Sequence, residues 1–363
     1  MDQIVTKSLS PAPDSEVLLE VKNLKTYFYM QSGDVVKAVD GVDFSLRKGS
    51  VLGIIGESGS GKSVTSRSIL RIVDEPGKIV DGEIFFRGRN LLKMSEKEMR
   101  QIRGAQISLI FQDPTTSFNP YTKIGEQLSE AYRVHRRDNK AIVKTHVIDA
   151  LKMVGISNYE DVLDRYPCEF SAGFRQRIFI AMSMIFNPAL LIADEPTTNL
   201  GITIQAEIIE ALIEVKERVG NSVIIITHDF GVVSQFSDDI MVMYAGHCVE
   251  YSPKRDLLLT PKHPYTVGLI QSVPLLEARK TRRLKSIPGF PPDMVHVPQG
   301  CPFAPRCLYK QEKCSQELPL LQDLGASRKV ACHYPLYNYH TSDDLKIGQG
   351  EPDEHADSGN TKS

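Results

Sequence analysis

Lys62 and Ser63 close the run Gly56-Glu57-Ser58-Gly59-Ser60-Gly61-Lys62-Ser63, which fits the spacing G-x-x-x-x-G-K-[ST]. Glycines at these places let backbone N–H groups close around a triphosphate, and a following helix sets the positive end of its dipole behind them. The lysine reaches the β- and γ-phosphates, and the next hydroxyl is a ligand for Mg²⁺. Hydrolysis also needs a carboxylate for the metal, a base for water and a group that senses the γ-phosphate. Asp194 and Glu195 are adjacent acids: Asp194 suits the metal, and Glu195 could polarise the attacking water. Gln112 and His228 each end an apolar run, so both are expected in one cleft.

The elements around these residues agree with that chemistry. Val51–Ile55 is an apolar run before the glycine loop, and Val64–Val73 is a helical pattern after it, so strand, loop and helix follow in order. Ala189–Asp194 is continuously apolar and ends in a carboxylate, which reads as a buried strand presenting an acid at its C-terminal end. Val223–Thr227 repeats the pattern before His228, and Ile107–Phe111 does so before Gln112-Asp113-Pro114. Strands alternating with helices predict an α/β fold with a parallel sheet. Paired strands at Leu24–Tyr29, which follows a strand at Val17–Val21, and through Val35–Leu46 suggest a small antiparallel sheet beside it. Tyr27 or Phe28 on the first could stack on an adenine, although either alone reads as a half-buried strand aromatic. All of the nucleotide-handling parts fall before residue 230, so nucleotide binding is expected to be independent of the residues after that point.

The chain of 363 residues has room for one large or two ordinary domains. Its apolar fraction of 41% and charged fraction of 24% are those of a soluble globular protein. A net charge of −2 gives no reason to expect nucleic acid as a partner. No apolar run approaches the roughly 18 residues needed to span a membrane, and the N-terminus reads as having no secretion signal. The expected division is a flexible lead at 1–16, a cassette at 17–255 with a helical part at about 113–186, a C-terminal region at 256–340 and a disordered tail at 341–363. The C-terminal region is expected to be a separate, loop-rich appendage.

Six cysteines in a cytosolic chain are more readily thiols or metal ligands than disulfides. Cys168 and Cys248 are expected to be buried small side chains. Cys301, Cys307, Cys314 and Cys332 form a set of four, for which zinc is the default from residue type. Yet no C-x₂₋₄-C pair occurs among them, and bacterial ferredoxin spacing is also absent, so spacing leaves the metal open.

The ordered set Gly56–Ser63, Gln112, Ser171–Gln176, Asp194-Glu195 and His228 resembles an ABC-transporter ATPase subunit over roughly residues 17–255. That resemblance implies a RecA-like core, an antiparallel β subdomain and a helical subdomain. It implies ATP and Mg²⁺ as cofactors, with Ser63, Gln112 and Asp194 at the metal and Phe28, then Tyr27, at the adenine. Two such cassettes pair head to tail, so Ser171 and Gly173 of one address the nucleotide held by the other. Ile110–Pro114, Ser117–Pro120, Pro261–Thr266 and Gly300–Cys307 resemble the oligopeptide/dipeptide importer branch. There, two ATPase subunits, usually different chains, sit under two membrane permeases on the cytoplasmic face, and an extracytoplasmic binding protein delivers the peptide. Related members import nickel or sugars. The branch also favours a [4Fe–4S] cluster on the four C-terminal cysteines.

Two departures are expected to matter. The family's Ser-Gly-Gly is Ser171-Ala172-Gly173 here, and its Ala-Leu-Asp is Asn199-Leu200-Gly201. Both act across the paired interface, while the residues serving this chain's own nucleotide are intact. An asymmetric pair is expected from this, with one strong and one weak site. A largely regulatory, noncatalytic cassette is the competing reading. A soluble ABC ATPase for repair or translation is another, but the chain carries no second cassette or long coiled coil to support it.

Overall fold

The computed structural model describes residues 16–112, 117–198, 200–272, 286–339 and 341. The expected lead and tail, apart from Glu16 and Thr341, lie outside the described residues, as do Asp113, Pro114 and Asn199. The strands in chain order are β1 (Val17–Tyr29), β2 (Val35–Arg47), β3 (Val51–Ile55), β4 (Gly77–Phe86), β5 (Arg89–Asn90), β6 (Ile107–Ile110), β7 (Leu190–Asp194), β8 (Ser222–Thr227), β9 (Asp239–Tyr244), β10 (His247–Pro253), β11 (Gln322–Gly325) and β12 (Arg328–Val330).

They form two sheets. One is antiparallel and four-stranded, in the order β2-β1-β4-β5. The other has eight strands in the order β11-β12-β10-β9-β3-β8-β7-β6, with β9, β3, β8, β7 and β6 parallel. Every residue of those five parallel strands is buried, which is why their sequences are apolar without alternation. Successive residues still point to opposite faces. Leu52, Ile192 and Ile224 pack with Leu19, Phe44 and Ile84 of the antiparallel sheet. Leu191, Val223 and Ile225 pack instead with Leu128, Val147 and Ile180 of the helices.

The helical part contains Ile124–Arg133, Lys140–Met153, Tyr159–Asp164 and Ala172–Met184. Between the first two of these, Asn139 caps the second helix, its Oδ1 accepting from Ile142 N at 3.0 Å.

Register positions the chemistry. Ile55 pairs with Thr227, Asp194 with Ile226, and Ile110 with Ala193. The C-terminal ends of β3, β8, β7 and β6 therefore stop together, and the residues just beyond them reach one rim.

Two expectations change here. The C-terminal region is not a separate appendage: β12 pairs with β10 through Glu250–Val330, so the hairpin β11–β12 extends the main sheet. Tyr265 and Phe303 also share a core with Ile55, Val242 and Tyr244. Apolar surface left on β9 and β10 requires that cover. Cys248 is buried as expected, but Cys168 is exposed, on the short turn Pro167–Glu169. Among the described residues no helix is long and apolar enough to cross a membrane.

Candidate functional site

The glycine loop leaves β3 and enters the helix Lys62–Leu70. Gly61 has φ +100°, and a Cβ there would stand 2.3 Å from the Ala38 carbonyl oxygen. A Cβ on Gly56 would stand 2.2 Å from the Met243 carbonyl oxygen, so the loop is pressed against its neighbours and accepts no side chain at either glycine. Lys62 is 4% exposed, and its ammonium donates to the carbonyls of Gly56 (2.8 Å) and Glu57 (2.9 Å) and to Ser60 Oγ (3.4 Å). Burial pushes its pKa below the ordinary lysine value. Ser58 and Gly59 line a cleft with Tyr244, Pro292 and Met294.

Beside the loop, Ser63 Oγ donates to Asp194 Oδ1 at 2.8 Å and Ser66 Oγ to Oδ2 at 3.3 Å. Burial raises the Asp194 pKa, with the adjacent Glu195 charge adding to it and the two hydroxyls opposing. A hydroxyl and a carboxylate already in contact are the oxygen donors that Mg²⁺ prefers.

Glu195 is the convergence point. Gln112 Nε2 donates to its Oε2 at 3.2 Å, Thr198 Oγ1 donates to the same oxygen at 2.8 Å, and His228 Nδ1 stands 3.8 Å away. Glu195 adopts φ +48°, a left-handed conformation for a residue with a side chain, held by its N–H donating to Ile226 O at 2.8 Å. Such strain collects where a fixed geometry is needed. The structure thus brings Gln112, Asp194, Glu195 and His228 to one rim with the loop. Thr198 is a member of this cluster that sequence reasoning missed. Its only signal is a hydroxyl three residues after the acid, in a turn closed by Thr198 N donating to Glu195 O.

The other candidates are more spread out. Phe28 lies at the end of β1, its ring edge against Gly77, and Tyr27 donates its hydroxyl to Asp40 Oδ1 at 2.7 Å. Ser171 is exposed and caps the helix Ala172–Met184, accepting from Phe174 N. Gly173 is buried, and a Cβ there would meet Ile204 Cγ2 at 2.4 Å, so its place is fixed by packing on the helix Ile202–Val219. Ala172 opens its helix in ordinary helical backbone, so its Cβ carries no φ cost within this chain. Gly201 caps the next helix with φ −66° and no side-chain hydrogen bond, in open space.

The glycine loop also has partners beyond residue 230. Arg306 forms a two-pronged ion pair with Glu57 of the glycine loop, at 2.6 and 3.0 Å. Tyr265 Oη accepts from Glu57 N at 2.9 Å. The C-terminal region therefore packs behind the loop.

Cys301, Cys307, Cys314 and Cys332 line one cavity with Phe303 and Tyr334. Burial pushes the Cys301 thiol up to about 11 and Cys332 up to about 12, and raises Cys307 as well. Cys301 N donates to Cys314 O at 2.8 Å, tying two of the four together through backbone. Among the described residues no three His, Cys, Asp or Glu side chains are arranged to hold a single metal ion.

Known proteins agree with this construction. An ABC transporter family model matches residues 39–198, and one for the C-terminal region of oligopeptide/dipeptide transporters matches residues 249–314. The oligopeptide transport ATP-binding protein OppD of Salmonella typhimurium is 43% identical over 331 residues, covering 91% of this chain and 97% of that one. The dipeptide transport ATP-binding protein DppD of Bacillus subtilis is 47% identical over 318 residues, covering 87% and 94%. Among solved structures, the dimeric ATP-binding cassette MJ0796 bound to ADP and Pi has a TM-score of 0.58 at 24% identity, covering 65% of this chain and 99% of that one. With its glycine loop, its acids and its C-terminal region all accounted for, the chain belongs to the ABC transporter family, in the oligopeptide/dipeptide branch of its ATP-binding subunits.

Proposed function

We propose that this chain hydrolyses ATP to power import of oligopeptides or dipeptides by a membrane ABC transporter. The observation that carries the reading is the convergence of Gln112, Thr198 and His228 on Glu195, next to the Ser63–Asp194 pair and the glycine loop. Phosphate entering the loop takes the Lys62 ammonium from the carbonyls of Gly56 and Glu57. Mg²⁺ bound on Ser63, Asp194 and Gln112 would neutralise charge on the β- and γ-phosphates. Glu195, oriented by Thr198, takes a proton from the attacking water, and His228 senses the γ-phosphate. Phe28 is the first candidate for the adenine and Tyr27 the second. Glu195→Gln should keep ATP binding and lose hydrolysis, whereas Lys62→Ala should weaken binding itself. Normal turnover by Glu195→Gln, in a complex where this site is the active one, would remove Glu195 as the base.

The names of the relatives support peptide as the cargo. Two permeases, a second and different ATPase subunit and, indirectly, an extracytoplasmic peptide-binding protein complete the assembly, with this chain peripheral on the cytoplasmic face. The asymmetric pair rests on Ala172 and Gly201. Open space at Gly201 supports it, because nothing in this chain's own packing requires the carboxylate to be missing. Ser171 and Gly173 would then complete a slow site on the partner's nucleotide. Ala172→Gly with Gly201→Asp should raise hydrolysis there. If Glu195→Gln left most activity of the heteromeric complex while the partner's equivalent change abolished it, the asymmetry would run the other way.

A [4Fe–4S] cluster on Cys301, Cys307, Cys314 and Cys332 is part of the same reading. Its support is the cavity that all four cysteines line. A cationic group would oppose the burial that raises the Cys301, Cys307 and Cys332 thiols.

A further inference from the structure

Glu57 is an awkward residue for a loop that receives a triphosphate. Its carboxylate is on the loop itself, close enough to act electrostatically on the Lys62 ammonium. An unscreened negative charge within a Debye length of about 8 Å opposes an anionic ligand. The chain answers from the far end of its sequence. Arg306 Nη1 donates to Glu57 Oε2 at 2.6 Å and Nη2 to Oε1 at 3.0 Å, the parallel geometry in which guanidinium and carboxylate bind best.

Everything around Arg306 fixes that fork in place. Its Nε donates to Pro288 O at 2.8 Å, and Nη1 also reaches Tyr244 Oη at 3.2 Å. The side chain is 6% exposed against 25% for Glu57, so the arginine is the buried anchor and the carboxylate the outer partner. Glu57 is gripped at two further atoms: its N–H by Tyr265 Oη and its carbonyl by Lys62. Backbone, carboxylate and lysine are therefore one connected network, with two of its three supports supplied from beyond residue 260.

We propose that Arg306 is a positioning residue of the ATP site, neutralising Glu57 and bracing the phosphate-binding loop from behind. This goes beyond the hydrolytic reading but rests on Gly56–Ser63 as the phosphate-binding loop. Arg306→Met leaves the Glu57 charge beside the phosphates, so affinity should fall by about tenfold, the scale of one lost charge-assisted contact. The loss should be larger for ATP than for ADP, because ATP carries the extra charge.

The deciding experiment is a titration of the full chain with ATP and with ADP, using displacement of a fluorescent ATP analogue. It compares Arg306→Met, Arg306→Lys, Glu57→Gln and the double variant Glu57→Gln/Arg306→Met. Removing both charges together should restore ATP affinity to within about threefold of the unmodified chain, a rescue that a merely structural prop does not give. Arg306→Lys, which keeps the charge, should stay within a similar margin. Failure of the double variant to recover, or equal losses for Arg306→Lys and Arg306→Met, would overturn the electrostatic role. Should Arg306→Met not fold, the Lys variant and Glu57→Gln still decide. Lys62→Ala run alongside separates the failures: if it binds ATP normally, the loop assignment itself is wrong.

Discussion

Thr198 and Glu195 set the finest scale at which the site works. A carboxylate serving as base must present one oxygen in a fixed direction, and Oε2 of Glu195 is fixed by Thr198 at 2.8 Å and Gln112 at 3.2 Å. Thr198→Val keeps the shape and removes one donor. It should lower kcat by about tenfold, the cost of one such hydrogen bond, and leave ATP affinity within about twofold. Single-turnover kinetics with a nucleotide titration would check this, and equal loss of both quantities would show that Thr198 does something else. Gln112, Asp194, Glu195 and His228 are legible in the sequence, because each ends or closely follows a buried apolar strand and strand register aligns them. Arg306 is not. It is 249 residues from Glu57 along the chain, and no local pattern reports a partner at that separation.

Turns and caps decide what happens between those residues. The hairpin β11–β12 escapes a reading of the sequence because its two-residue turn is Ala326-Ser327, with φ of +51° and +60°. That conformation normally announces itself through Asn-Gly. Its strands are also short, with Val330 their one buried residue and no alternation to read. Gly201, by contrast, sits at a cap where glycine is not needed. With φ −66° and no atom within 4 Å of a Cβ, Gly201→Asp should cap the helix Ile202–Val219. A gain of about 0.5–1 kcal/mol is expected, from the cap and the less mobile unfolded chain. A lower melting temperature would contradict it. The helix Pro264–Gln271 is capped by His263, whose Nδ1 accepts from Tyr265 N at 3.0 Å. Burial pushes this imidazole from 6.5 down to about 3. Between those values the unfolded chain binds a proton that the native one refuses, so this contribution is lost as pH falls from 6.5 toward 3. Glu250, which accepts from Lys262 and His263 N–H, is raised by burial and acts in the opposite sense, losing stability as pH rises from 4.5 through its folded value. Comparing the chain with His263→Asn isolates the histidine. The difference should move in the variant's favour on acidification, by at most about 1.4 kcal/mol per pH unit.

At the scale of the whole molecule, the C-terminal region packs against the glycine loop through Arg306 and Tyr265, and under the role proposed for Arg306 it becomes part of the ATP site. Arg306 is carried by the turn Ala304–Arg306, between Cys301 and Cys307, and that turn is closed by Ala304 N donating to Cys301 O at 2.9 Å and Arg306 N to Phe303 O at 3.0 Å. Tyr244, Tyr265 and Phe303 pack at steep angles around it, with ring centroids 4.6 to 5.3 Å apart. A group bound by the four cysteines would therefore also steady the guanidinium against Glu57. Changing Cys301, Cys307, Cys314 or Cys332 to Ser should reduce metal bound by protein purified without oxygen, and should speed proteolysis beyond residue 286. It should also weaken ATP binding about as much as Arg306→Met does, because a loosened turn withdraws the same charge. Cys168→Ser, at an exposed position on the helical side, is the control that should change none of the three. A full set of four variants with unaltered metal content would remove the cluster. If metal were lost and ATP affinity unchanged, the turn would keep its shape without the metal, and the cysteines would be uncoupled from the nucleotide.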